Sequence, residues 1–587
     1  MNLEKLFSRL PDRLYDNFGA LFAQSVQAHA ELPALLMKLG GSDEYTTWTY
    51  AAFAAEVRKA ARFLASRGLK SGDSFAVMSE NRSEWMAAWF AATIQGIVAV
   101  PIDSAYEEEG IRTVLAAARC KGFAGSARFA QKALAARAAA PAGFFVLDFD
   151  LASDSGGFLS WRAALDGAPE LELPPVSAVP SDAPATIIFT SGTTGVAKGI
   201  VLSHRALIAN VNAARMALLI SERDRFIAML PLHHTYALTC TFLAPFEAGG
   251  RIVFTEKLIP TVILKHIRDS GVSILIGVPL VFDKFAAGIR SELRKLPGLA
   301  RSVIGSLIGL SGSAARLGLP VGRVLLGFLR KKAGLGSIRL AVAGGGPLME
   351  DTADFFEALG MNLVQGYGMS ENGPLIAVNL PEYHDNHSVG VAVKFTEVRI
   401  ADPGADGIGE IQVRSPSLMT GYLDNPEATR EAFTEDGWLR TGDLGRIDKR
   451  GFIFITGRSK NLIVTEGGKN VYPEEIEQKF AGQPFVLEVL VVGRKAHSGA
   501  AGDEIVAVLV PNRDAIEAAH PGRSADAPFV HGLMRDEVAR VNRQLAQYMK
   551  ISDLVVRADE FEKTSSRKIR RFLYQKQYGV AGPGAGT

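Results

Sequence analysis

The chain has 587 residues, 48% hydrophobic and 21% charged, which describes a globular protein too long for one core and points to two to four domains or subdomains. Its 64 basic and 62 acidic residues leave a formal net charge of +2, so nucleic acid is excluded as the main partner and any basic function must be local. Only Cys120 and Cys240 occur, without CxxC or Cys/His spacing, so neither a disulfide framework nor a zinc site is indicated and a reducing, cytoplasmic setting is expected. Residues 1–18 mix charged and apolar side chains and show no signal-peptide core.

In chain order, helical patterns at 51–66, 84–94 and 111–118 alternate with strands at 74–78, 97–100 and 122–124, the mark of an α/β fold with mainly parallel sheets. The uncharged run 85–102 just reaches the length of a membrane span. It is alanine-rich and broken by Gln95-Gly96 and Pro101, which fits a buried helix running into a strand. Further buried strands are expected at 185–189, 225–229, 251–254, 273–277 and 337–343. Between 285 and 337 many lysines and arginines stand among leucines, valines and glycines with almost no acids. Such a segment suits peripheral contact with an anionic membrane face, or is a helical hairpin with solvated basic residues covering the core.

After about 397 the pattern turns β-rich, with strand-like pieces at 397–400, 409–413 and 452–455. A polar glycine-rich loop at 457–470 leads to a helix at 473–480 and strands at 489–492 and 504–510, a compact α+β domain. The expected organisation is therefore a large N-terminal part, 1–457, of parallel α/β subdomains plus a β-rich subdomain at about 397–457. A hinge at 458–460, a small mobile α+β C-terminal domain at 461–578 and a disordered Gly/Ala-rich tail at 579–587 complete it.

The run Thr190-Ser191-Gly192-Thr193-Thr194-Gly195, closed by Lys198-Gly199, follows the apolar run 185–189 and reads as a phosphate cradle. Glycines let several N–H groups face one oxyanion, while hydroxyls and an ammonium add donors and charge. The Ser/Thr that follows the lysine of a P-loop NTPase is missing, which sets that class aside. Downstream, Pro231-Leu232-His233-His234 reads as a neutral imidazole beside a carboxylate substrate rather than a metal site, because no acid or third histidine stands at ligand spacing. Gly344-Gly345-Gly346 is a turn suited to a flat ligand. Gln365-Gly366-Tyr367-Gly368-Met369-Ser370-Glu371 either offers a base-stacking ring with a carboxylate for phosphate-bound Mg²⁺ or is a loop with a core tyrosine. Asp443, behind Thr441-Gly442, either accepts from paired ribose hydroxyls or caps a turn.

Taken in order, these elements resemble the adenylate-forming superfamily of acyl-CoA synthetases, peptide-synthetase adenylation domains and luciferases, from Trp48-Thr49-Tyr50 to Tyr574. The resemblance implies the following roles. Thr190 to Lys198 form the phosphate loop, and His234 stands beside the acyl carboxylate. Tyr367 stacks adenine, Glu371 ligates Mg²⁺ with Thr190 as a second ligand, and Asp443 and Arg458 contact ribose. Lys460 is the hinge and Lys568 the catalytic lysine, while Gly467 and Gly468 line a pantetheine channel. Arg567 replaces the glycine that commonly precedes that lysine.

Residues 79–85, the basic insertion before Gly344, residues 467–475 and residues 568–574 look most like long-chain fatty acyl-CoA synthetases. The implied reaction uses ATP, Mg²⁺, a fatty acid and coenzyme A and passes through an acyl-AMP. The rival acceptor is an acyl carrier protein; a catalytically idle membrane scaffold is disfavoured by the intact Lys568, Glu371 and Asp443.

Overall fold

The computed structural model describes residues 3–38, 42–190, 198–255, 257–465, 469–480, 482–495, 502–563 and 569–579. Two large sheets dominate. In the nine-stranded one, Arg225–Ala228, Ile274–Gly277, Leu340–Ala343 and Leu363–Gly368 run parallel as consecutive neighbours. The eight-stranded sheet sets Ser74–Met78, Val98–Pro101, Cys120–Gly125 and Phe145–Asp148 parallel, and is extended by the antiparallel pair Pro184–Thr190 and Lys198–Ser203. Ser74–Met78, Val98–Pro101 and Phe145–Asp148 are buried at every position, as parallel strands covered on both faces must be, and Cys120–Gly125 exposes only Lys121.

The uncharged run 85–102 resolves into the helix Ser83–Thr93, buried nearly all round, and the strand Val98–Pro101. Phe90 sits 5.0 Å from the Phe242 ring, and Trp89 meets Phe18 edge-on at 4.9 Å, so the helix is the centre of an aromatic core. Among the described residues no helix is long and apolar enough to cross a membrane. The basic stretch forms the helices Pro279–Arg294 and Gly298–Arg316, followed by the shorter Gly322–Leu325 and Gly327–Lys332.

Further on, Glu397–Ala401, Gly409–Arg414, Leu439–Ile447 and Ile453–Arg458 make a four-stranded antiparallel sheet. Within the glycine-rich loop expected at 457–470, Ile463–Val464 pairs antiparallel with Asn470–Val471. In the C-terminal domain Val486–Lys495 pairs antiparallel with Asp503–Pro511, which pairs parallel with Asp553–Val556. The tail residues 580–587 lie outside the described residues.

One buried carboxylate ties the ends of three adjacent parallel strands. Asp224, directly before Arg225–Ala228, accepts on Oδ1 from Arg339 Nε (2.7 Å) and Ser273 Oγ (2.8 Å). On Oδ2 it accepts from Arg339 Nη2 (2.8 Å) and the Ser221 amide (3.0 Å). Ser273 and Arg339 immediately precede Ile274–Gly277 and Leu340–Ala343. The last strand is shorter than the expected 337–343, and Arg339 just before it turns its side chain to this carboxylate.

Burial alone would raise the Asp224 carboxyl, but the hydrogen bonds and charge of Arg339, with Ser273 and Ser221, bring it below its ordinary value. A depressed folded-state value contributes stability above the unfolded value of about 3.9, and that contribution is lost as pH falls through the folded one. Asp224→Asn is expected to lower the stability of the N-terminal unit by about 2 kcal/mol at pH 7 in urea unfolding. The gap to wild type should narrow on acidification below about pH 4. A gap independent of pH would assign the effect to shape rather than charge.

Candidate active site

The C-terminal ends of those parallel strands converge, where open α/β sheets present their ligand crevices. Arg225–Ala228 leads into the segment with His233 and His234, and Val98–Pro101 of the other sheet leads to Asp103. Asn81, just beyond Ser74–Met78, bridges the two sheets. Its Nδ2 donates to the carbonyls of Ala228 (3.0 Å) and Leu230 (2.8 Å), and its Oδ1 accepts from the Leu232 amide (3.0 Å).

Held in this way, buried His233 places Nε2 3.3 Å from Asp103 Oδ1, and its ring centroid lies 4.3 Å from that of His234. Ligand atoms of all three residues lie within 4.8 Å of one another. The fold thus supplies the acid that the local spacing lacked, from more than a hundred residues upstream. Tyr106, near the same corner, has its hydroxyl pushed up by burial and by Asp103, against the opposing charge of Arg570. Arg570 stands two positions beyond Lys568, which itself lies outside the described residues.

Gly344 follows Leu340–Ala343, and a Cβ there would come within 2.8 Å of the Tyr236 ring. Tyr236 donates to the Val342 carbonyl (3.2 Å), which holds its ring against the glycine turn. Gly345 adopts φ +81°. Gln365 Nε2 reaches back to the Gly346 carbonyl at 3.4 Å. The hydroxyls of Thr235 and Ser370 meet at 3.1 Å, joining the histidine segment to the turn Ser370–Asn372 that carries Glu371.

At the phosphate loop the chain leaves by Pro184–Thr190 and returns antiparallel by Lys198–Ser203, with Thr190 opposite Lys198. Ser191, Gly192, Thr193, Thr194 and Gly195 lie outside the described residues. The Lys198 ammonium stands 4.9 Å from the centre of the Tyr422 ring, and the Tyr422 hydroxyl donates to Glu371 Oε1 at 2.9 Å. Burial and the neighbouring Glu371 push the Tyr422 hydroxyl well up, so it remains a donor at neutral pH. Tyr422 was not singled out from sequence; the strand Gly421–Tyr422 docks antiparallel on Ile200 and Val201.

Asp443 lies within the strand Leu439–Ile447 rather than in a free turn, with Gly442 at φ +70°. It is buried, accepts from the Tyr367 hydroxyl on Oδ2 (2.7 Å), and pairs with Arg458 Nε through Oδ1 (2.8 Å). The Tyr367 ring is packed with Ile411, Val413 and Ile453, and the adjoining Gly368 and Met369 reach solvent to a greater degree. Gly366 is half-buried on the same strand, Leu363–Gly368.

Lys460 is exposed in the turn Ser459–Asn461. Gly467 and Gly468 lie outside the described residues. Beyond Lys568, Arg571 donates to Glu477 (2.6 and 2.7 Å) and to the Val491 carbonyl (2.7 Å), anchoring that end of the chain on the C-terminal domain.

Residues 22–423 match the family of AMP-binding enzymes, and residues 475–568 match the AMP-binding enzyme C-terminal domain. The chain belongs to this adenylate-forming family. The long-chain-fatty-acid--CoA ligase of Escherichia coli O157:H7 is 29% identical over 96% of the chain and 94% of that protein. The long-chain-fatty-acid--CoA ligase FadD15 of Mycobacterium bovis is 32% identical over 76% of each. Among solved structures, ATP-bound MatB from Rhodopseudomonas palustris superposes with a TM-score of 0.75 at 26% identity, covering 96% of this chain and 99% of that one. The fold is therefore that of an AMP-binding enzyme, with separate N- and C-terminal parts.

Because Gly344 admits no side chain beside Tyr236, Gly344→Ala is expected to weaken ATP binding by tenfold or more in calorimetry, with a loss of only a few degrees in Tm. Unchanged affinity would remove the glycine turn from the nucleotide site.

Proposed function

We propose that this AMP-binding enzyme is a long-chain fatty acid–CoA ligase. It activates a fatty carboxylate with ATP to an acyl-AMP, releases pyrophosphate, and passes the acyl group to coenzyme A with release of AMP. The observation that carries the reading is the convergence of Lys198 and Glu371 on Tyr422, which sets a cation for phosphates beside a carboxylate for their metal. The substrate class is supported by the names of the bacterial relatives, and it entails peripheral contact with a membrane, where such acids partition.

In the first half-reaction the fatty carboxylate oxygen attacks the α-phosphorus and the pyrophosphate oxygen leaves, so negative charge gathers on five-coordinate phosphorus. Lys568 supplies an ammonium that neutralises this charge between carboxylate and α-phosphate. Thr193, Thr194 and Lys198 bind the departing pyrophosphate. His234, tilted against a His233 that Asp103 holds, orients the attacking carboxylate. Asp443, steadied by Tyr367 and Arg458, accepts from the ribose hydroxyls. Glu371 and Thr190 are hard oxygen donors that fit Mg²⁺, and when bound that ion supplies further neutralisation at the phosphates.

For the second half-reaction the C-terminal domain turns about Lys460, withdrawing Lys568 and bringing the segment around Gly467 and Gly468 to the thiol's path. An acyl carrier protein is the alternative acceptor, and comparing it with free CoA separates the two.

The test is ATP–pyrophosphate exchange across saturated acids from acetate to stearate, with aryl and amino acids alongside. Exchange is expected to be strongest with long saturated acids and to vanish in Lys568→Ala, which should still form thioester from supplied acyl-AMP. A response confined to aryl or amino acids overturns the substrate class. Separately, Tyr422→Phe removes the donor that orients Glu371 and should raise the Mg²⁺ concentration for half-maximal exchange by about tenfold, the scale of lost outer-shell support. An unchanged metal dependence would detach Glu371 from the metal.

A further inference from the structure

The helix Gly298–Arg316 buries only Ser311. Its inward face is already used: Ile304, Leu307 and Ile308 pack on the buried Leu326, Leu329 and Leu359. Yet Leu299, Val303 and Leu310, with Leu317 just beyond, stand exposed at spacings of four, seven and seven, which align on one side of a helix. Leu299 is 83% exposed and Leu317 79%, so this outer row is not a marginal part of the core. The following short helices expose Val324 and Phe328 as well. No other stretch of comparable length among the described residues exposes as many large apolar side chains.

Along the sequence around this row the charge is of one sign, while in space the helix packs on Glu350–Ala358 and Arg316 lies 3.9 Å from Asp354 of that helix. No aspartate or glutamate occurs from 293 to 349, a segment that contains Arg294, Lys295, Arg301, Arg316, Arg323, Arg330, Lys331, Lys332 and Arg339. Arg330 and Arg339 are engaged within the fold, by the Gly360 carbonyl and by Asp224. Arg301 and Lys331 are exposed and form no ion pair among the described residues. Sequence pointed to cations set among apolar residues; the structure adds that a row of those apolar residues is exposed.

We infer that the outer face of residues 298–332 docks the protein on an anionic lipid bilayer. Leu299, Val303, Leu310 and Leu317 enter the acyl boundary while the arginines and lysines meet the headgroups. Such a face combines the two forces that hold a surface-lying helix on a membrane, apolar burial and attraction to anionic lipid. A second copy of the chain is disfavoured as the occupant, because pairing this face with itself would oppose like charges. The inference deepens the fatty acid reading by giving the substrate's route of supply, but its test does not depend on catalysis.

The experiment is flotation of the full chain with vesicles of phosphatidylcholine alone or with 30% phosphatidylglycerol, read alongside pyrophosphate exchange. Wild type is expected to bind the anionic vesicles at least tenfold better, with binding weakened by salt. Leu299→Ser/Leu310→Ser/Leu317→Ser should lose at least tenfold in binding, and Arg301→Glu/Lys331→Glu should remove the preference for anionic lipid. Both should retain wild-type circular dichroism, Tm and exchange with an acid supplied in solution. Equal binding to the two vesicle types, or none, overturns the proposal. So does an apolar-row variant that floats like wild type, or that instead loses self-association or capture of a protein partner while wild type ignores vesicles. If vesicles bind but no acid supports exchange, the fatty acid reading fails and the docking surface stands.

Discussion

The site depends on a carboxylate that never reaches it. Asp224 gathers Arg339, Ser273 and Ser221 at the N-terminal ends of three neighbouring parallel strands. Parallel strands have no tight turn between them to set their register, so something must fix where each begins. Once the starts are pinned, strands of four residues deliver their far ends at one level: the histidine segment after Ala228, the turn after Gly277 and the glycines after Ala343. The cost of burying the charge is offset because each oxygen receives a strong donor. Asn81 performs the matching task across the two sheets, and the crevice lies where the two constraints meet.

Within the crevice, the charged groups are oriented by neighbours that do not themselves carry the chemistry. Tyr422 serves Lys198 with its ring and Glu371 with its hydroxyl. Asp443 is held from one side by Tyr367 and from the other by Arg458, its cross-strand partner in the antiparallel sheet. Burial pushes the Tyr367 hydroxyl well above its ordinary value, with Asp443 adding to the effect, so this bond is a lasting O–H to carboxylate contact at any physiological pH. An arrangement of this kind pre-organises charge before the nucleotide arrives, which limits the reorganisation left for binding.

What sequence made legible follows from distance along the chain. Motifs whose members are consecutive, such as 190–198, 344–346 and 365–371, could be read because glycine, hydroxyl and charge sit together. The alternation of helix and strand was legible for the same reason, since periodicity is local. Asp103, Asn81, Asp224 and Tyr422 were not, because each acquires its meaning from a partner 49 to 151 residues away. The basic character of 285–337 was visible at once, but the exposure of its leucines was not. In sequence, an apolar residue at helical spacing reads as core, and only the packed inner face of the helix shows that the outer row has nothing to cover it.

The turn proposed for the second half-reaction finds its mechanical logic in how bonds are divided around Lys460. On one side, Ser459 Oγ donates back to the Gly442 carbonyl at 3.1 Å, within the four-stranded sheet's territory. On the other, Asn461 donates forward to Glu474 (2.6 Å) and accepts from Gln575 (3.3 Å), both in the C-terminal domain. The exposed lysine between them is thus where obligations change hands. The Lys563 and Ile569 backbones bridge across 564–568, and Arg571 is fastened to Glu477 and Val491. Residues on both sides of 564–568 are therefore anchored on the C-terminal side. What must yield is packing: the approach of Glu474 and Tyr472 to Gly457, where a Cβ would stand 2.8 Å from Glu474 Oε2. A glycine at that crossing leaves smooth backbone for one part to move over the other.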